Sequence, residues 1–156
     1  MSAGKEKSAP KKNRRLSREL ALKGLYQREL SGAAVEAIVE QLHDDEDFHK
    51  ADDVHFATLL KGTIAQAESI NAQLAPLVDR PMVELSPIER AILQLAAYEL
   101  SNHLEIPYRV VINEAVELAK SYGGTDGYKY INGVMDKLAA TVRAVEVNAK
   151  REPKPR

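Results

Sequence analysis

Leu85-Ser-Pro-Ile-Glu-Arg-Ala-Ile-Leu-Gln-Leu-Ala-Ala-Tyr-Glu-Leu100 is the stretch that decides the fold. Ser86 can cap a helix N-terminus, Pro87 suits the first helical position, where a missing N–H costs nothing, and Glu89 completes a Ser-x-x-Glu capping box. At about 100° per residue, Ile88, Ala91, Ile92, Leu93, Leu95, Ala96, Tyr98 and Leu100 cover most of the circumference. Only Arg90, Gln94 and Ser101 remain as a narrow polar strip. A helix apolar on so many sides belongs at the centre of the molecule. Glu99 falls inside the apolar arc, so its carboxylate needs a donor or a positive partner. No second group nearby suggests a catalytic acid, and Glu99 reads as a structural anchor.

Working outward, the spacing predicts helices on both sides. Arg14, Arg15 and Arg18 run into a first helix that Ser17 can cap, with Leu20, Leu22, Leu25, Tyr26 and Leu30 as its apolar positions. After Ser31-Gly32, a short second helix carries Val35, Ile38, Val39 and Leu42. Asp52 or Asp53 caps a long third one, whose stripe runs from Phe56 to Leu74 and ends at Pro76. Beyond the central helix, Pro107 opens another, which carries Val111, Ile112, Ala115, Val116, Leu118, Ala119 and Tyr122. Gly123-Gly124 is expected to stop it through φ > 0 conformations. A last helix starts near Thr125 or Asp126 and packs Tyr130, Ile131, Val134, Met135, Leu138, Val142 and Val145. No segment alternates with period two, so no strand is predicted. The class is all-α.

A chain of 156 residues can bury roughly 70% of its unfolded surface, enough for one core without staples. Cys is absent, which excludes disulfides and thiolate metal sites. With no long apolar run and no apolar leader, a soluble, intracellular, cytoplasmic protein is expected, not attached to a membrane. The net charge of −1 hides a separation: residues 1–18 hold seven Lys or Arg against one Glu, and residues 36–53 hold eight Asp or Glu against one Lys. Residues 1–13 read as a disordered basic arm, 14–147 as a single helical domain and 148–156 as a disordered basic tail. Such an arm either touches a polyanion or merely solubilises.

Enzyme chemistry finds little support. The four histidines form no HExxH pair, Asp44 to Asp53 lacks calcium-loop spacing, and no nucleophile elbow or phosphate-binding Gly loop occurs. No cofactor or metal is expected. Gly123-Gly124-Thr125 could offer N–H groups to a phosphate, but a helix stop followed by a helix start explains it more simply. A nucleic-acid reading gathers more residues. Lys12, Arg14, Arg15 and Arg18 supply cations at one helix start, with Tyr26 two turns on. Asp126, Tyr128, Lys129 and Tyr130 supply rings and charges at another. That set suits single-stranded RNA, whose unstacked bases offer faces and edges. Core packing accounts for Tyr26 and Tyr130 equally well, and capping for Asp126 and Glu89.

Four segments then carry a resemblance: Ala21-Leu-Lys-Gly-Leu-Tyr26, Ile88-Glu-Arg-Ala-Ile-Leu93 leading to Tyr98-Glu-Leu100, Pro107-Tyr-Arg-Val-Val-Ile-Asn-Glu-Ala-Val-Glu-Leu-Ala-Lys120, and Lys129-Tyr-Ile-Asn-Gly-Val-Met-Asp-Lys137. From about Arg14 to Val142 the chain resembles the NusB family of bacterial transcription antitermination factors. The resemblance implies about six or seven helices in two packed subdomains. It also implies binding to the boxA element of nascent RNA with NusE, the small-subunit ribosomal protein, and entry into the antitermination complex on elongating RNA polymerase, notably for ribosomal RNA operons. By the same resemblance Arg14, Arg15, Arg18, Tyr26, Glu89, Asp126 and Tyr130 would contact RNA. Gln94 stands where some relatives carry arginine, and Tyr130 where some carry phenylalanine. A similar domain also fronts some ribosomal RNA cytosine methyltransferases, and a protein-only scaffold is a third reading. The expectation is an adaptor without enzymatic activity, with homodimerisation left open.

Overall fold

The computed structural model describes residues 13–151. Lys12 and the rest of the expected arm lie outside the described residues. Eight α-helices follow in order: α1 (Arg14–Ser31), α2 (Val35–Leu42), α3 (Asp53–Ala65), α4 (Ala67–Leu74), α5 (Pro87–Asn102), α6 (Tyr108–Tyr122), α7 (Gly127–Val142) and α8 (Ala144–Arg151). Short 3₁₀ turns at Phe48–Lys50 and Met82–Glu84 join them. No strand occurs among the described residues, where the one isolated bridge pairs Asn13 with Ala51.

Two expected helices are broken. The third pauses at Gln66, which leaves helical geometry at φ −102° and ψ 17° and separates α3 from α4. The last stops at Arg143, φ −123° and ψ 33°. That second break shifts the helical phase: Val145, expected to pack, is 86% exposed, and Val147 is buried in its place. The helix also runs on to Arg151, past the expected tail boundary at 148.

The first helix starts a turn earlier than expected. Asn13 is its cap, its Oδ1 accepting from Leu16 N at 3.0 Å. Ser17, expected to cap, is fully buried and donates its hydroxyl to the carbonyl of Asp52 at 2.7 Å. Arg14, Arg15 and Arg18 are therefore all helical residues within the first turn and a half of α1, ahead of the expected cap at Ser17 or just past it. Asp52 caps α3 by accepting from His55 N at 3.0 Å, and Ser86 caps α5 by accepting from Glu89 N at 3.2 Å. At the end of α6, Gly123 has φ −91°, and Gly32 is the positive-φ residue among those described. Gly123 is needed for space: a Cβ there would fall 2.8 Å from the carbonyl oxygen of Ala119.

Helix α5 is central. Its residues from Ala91 to Leu100 are buried except Gln94, with α1, α3 and α4 on one side and α6 and α7 on the other. Two helical groups thus share one core across this helix. Tyr98 reaches α3 at Gly62, where any Cβ would lie 2.3 Å from the ring. Glu99 is buried, as its position demanded, and its partners are Arg18 from α1 and His55 from α3. Arg18 Nε donates to Oε1 at 2.9 Å and its NH2 to Oε2 at 2.5 Å, while His55 Nε2 lies 3.4 Å from Oε2. Burial pushes the Glu99 carboxyl upward, yet the groups of His55 and Arg18 outweigh it and hold the pKa at about 2. At the far end of α5, the buried guanidinium of Arg143 donates to the carbonyls of Leu100 at 2.7 Å and His103 at 2.9 Å. It thereby satisfies acceptors that a helix C-terminus leaves open.

Candidate nucleic-acid interface

Arg15, Glu19, Tyr26 and Glu29 are spaced by four, seven and three residues, so they share one face of α1. Contacts from this face lead to α5, α6 and α7. Arg15 grips Glu114 of α6 through two hydrogen bonds of 3.0 and 2.9 Å. The Tyr122 hydroxyl, one residue before Gly123, donates to Glu19 at 3.5 Å. Arg90 of α5 pairs with Glu29 and also donates to the carbonyls of Met82 and Leu85. Its neighbour Glu89 lies over the start of α7, so close that a Cβ on Gly127 would fall 2.7 Å from Oε2. The expected capping box is only half used: the Ser86 hydroxyl accepts from Glu89 N, while the Glu89 carboxylate lies beside Gly127.

At α7 the track continues. Asp126 occupies the N-cap position without a side-chain cap bond; its exposed carboxylate instead meets Lys129 at 3.7 Å. Capping therefore does not account for it. The negative group set against the start of α7 is Glu89, which favours the helix-stop reading of Gly123-Gly124-Thr125 over a phosphate cradle. Tyr130 is half-buried. Its ring packs on the core, and its hydroxyl donates to Asp79 Oδ1 at 3.0 Å and accepts from Asp79 N at 3.1 Å. Arg80 lies over this ring, 5.7 Å from its centre. Hydrogen bonds from Arg80 and then Tyr130 hold the Asp79 carboxyl below its ordinary value, and burial raises the Tyr130 hydroxyl above its own. Lys120 and Lys129 flank the neighbouring Tyr128 ring at 5.2 and 6.0 Å.

The sequence-predicted residues divide. Arg15, Tyr26, Glu89, Asp126, Lys129 and Tyr130 belong to this one track; Tyr26 is half-buried and stands outside the hydrophobic core cluster. Arg14 is half exposed and turns to Asp52 of the α3 cap at 3.5 Å. Arg18 must be withdrawn as a surface contact. Its side chain is 7% exposed and is spent on Glu99, with NH1 also 3.9 Å from Glu114. Asp79, Arg80, Glu114 and Tyr122 were missed. Arg80 precedes Pro81 in a segment that reads only as a connection, and nothing in its spacing points to Tyr130.

Cations, aromatic rings and carboxylates thus share one track on a two-group helical scaffold, and no cluster that could hold a metal occurs among the described residues. The chain belongs to the NusB family, whose sequence profile matches residues 15–140. The transcription antitermination protein NusB of Ralstonia nicotianae is 55% identical over 150 residues, 96% of this chain and 97% of that protein. That of Paraburkholderia phymatum is 57% identical over 139 residues, 89% of this chain and 96% of its own length. Among solved structures, NusB of T. maritima superposes with a TM-score of 0.79 at 28% identity, covering 89% of this chain and 99% of that one. A crystal structure of antitermination factors NusB and NusE with double-stranded RNA matches in fold, with a TM-score of 0.71 at 21% identity over 80% of this chain and 93% of that one.

Proposed function

We propose that this chain is a transcription antitermination factor that binds unpaired boxA RNA together with NusE and joins the complex on elongating RNA polymerase, especially at ribosomal RNA operons. It acts in the cytoplasm as an adaptor and catalyses no reaction. The observation that carries this reading is the connected face from Arg15 and Tyr26 on α1 to Glu89, Asp126 and Tyr130 at the starts of α5 and α7. Arg15 and Lys129 supply cations for phosphates on this face, and Arg14, paired with Asp52 beside it, supplies a further one from the same helix start. Tyr26 and Tyr130 offer ring surface for bases, and Glu89 and Asp126 offer acceptors for base amino groups.

Titration of labelled boxA and scrambled RNA, with and without NusE, tests it. Arg14→Ala and Arg15→Ala are expected to weaken both RNAs and to flatten the log–log salt dependence by roughly 0.7 for each lost single-strand phosphate contact. Tyr26→Ala is expected to narrow the gap between boxA and scrambled RNA at unchanged folding. Unchanged slopes and an unchanged gap would remove the face from RNA binding.

One observation favours a rival. Arg14, Arg15 and Arg18 all pair with carboxylates of the body, at Asp52, Glu114 and Glu99, which suits a protein-only scaffold. Crosslinking to boxA only in the presence of NusE, and only to NusE, would establish that rival.

A further inference from the structure

Glu114 is where two arginines of α1 meet α6. Its Oε1 accepts from Arg15 Nε at 3.0 Å and its Oε2 from Arg15 NH2 at 2.9 Å. Two parallel bonds of this kind are also how a guanidinium grips a phosphate. Glu114 is mostly covered, at 14% exposure, and Arg18 NH1 approaches Oε1 to 3.9 Å. Arg15 is 53% exposed and reaches the carboxylate from the solvent side. Glu19, Glu117, Leu118 and Ser121 complete a small cavity of about 80 Å³ around the pair. The hydrogen bond to Glu114, then its charge, raise the Arg15 pKa, and Glu117 and Glu19 add to the effect.

We infer that Glu114 is a competing anion built into the strand-binding face, occupying the guanidinium positions that a phosphodiester would take, so that RNA engages Arg15 only by displacing it. The inference rests on the reading of Arg15 as a phosphate contact. Displacement costs every strand the same amount, because phosphates carry no sequence. A strand that also places bases against Tyr26 and Tyr130 offsets that cost, and one that offers phosphates alone is held weakly. Glu114 thus sets the affinity below which a passing single strand is not retained.

The test uses the full chain and labelled boxA and scrambled RNA at low salt. Glu114→Gln is expected to tighten both RNAs by about two- to fivefold, the range an exposed ion pair supports. Glu36→Gln makes the same change in net charge at an exposed position on α2 and is expected to give a clearly smaller gain. In an Arg15→Ala background, the gain from Glu114→Gln is expected to shrink to that of Glu36→Gln. The inference is overturned if Glu114→Gln binds like wild type, if its gain equals that of Glu36→Gln, or if its full gain persists without Arg15. If Arg15→Ala alone leaves binding unchanged, the reading of Arg15 as a phosphate contact fails, and the inference with it. Should Glu114→Gln not fold, Glu114→Asp keeps the charge but shortens the reach, and the same comparison with Arg15→Ala applies.

Discussion

Arg15 and Arg18 sit one turn apart on α1, and each faces a glutamate, yet they serve different parts of the molecule. Arg18 is 7% exposed and locks α1 to α5 through Glu99; Arg15 is 53% exposed and meets Glu114 at the edge of α6. The chemistry of the two pairs is the same, and their surroundings separate them. In the interior, a lost partner leaves a charge with no water to take it up. At the surface, water and salt replace a partner at small cost, and the pair is free to exchange. One turn of helix therefore divides a buried structural tie from an exposed pair that water and other ions can reach.

Removing Arg18 tests this contrast most severely. Arg18→Ala leaves the Glu99 carboxylate buried beside His55 and is expected to destabilise by about 3–5 kcal/mol. The sign would be a lower urea midpoint at unchanged slope. Acid sharpens the comparison with a somewhat smaller effect. The Glu99 carboxyl is lowered from its ordinary 4.5 to about 2, so its contribution is fully present above pH 4.5. It is lost as the pH falls through 2, a change of about 3 kcal/mol for a shift of that size. Urea unfolding measured between pH 6 and pH 2 should follow this fall in wild type, and Glu99→Gln should remove that part of the pH dependence. The smallest stability effect belongs to Arg15→Ala, within about 1 kcal/mol of wild type. A loss comparable to that of Arg18→Ala would erase the distinction between the two arginines.

The centre of the fold could be read directly from residues. A helix with apolar groups on most of its circumference has few places to go, and α5 occupies the one its sequence demanded, with Glu99 buried and paired. The partner could not be read, because Arg18 lies 81 residues away and belongs to an arginine series that looks uniformly external. Which arginine turns inward depends on the side of α1 that meets α5, a tertiary choice that local spacing does not encode. The breaks at Gln66 and Arg143 were hidden for a similar reason. Neither position carries Gly or Pro, and at Arg143 the break coincides with a guanidinium anchored to carbonyls at the C-terminal end of α5. On the proposed binding face, Glu89 and Asp126 at the helix starts were singled out by the family resemblance, since capping patterns alone offered them only a structural role. Arg80, Tyr122 and Glu114 became visible only once the helices were packed.

The Arg143 anchor has a consequence for biosynthesis. The carbonyls of Leu100 and His103 are satisfied by a side chain 43 and 40 residues later in the chain. A ribosome that has released the whole of α5 has therefore not yet supplied what finishes it. Cooperative closure waits until α7 has been made and its exit has turned back, so chains stalled before residue 143 should present the central helix with a frayed end to chaperones and proteases.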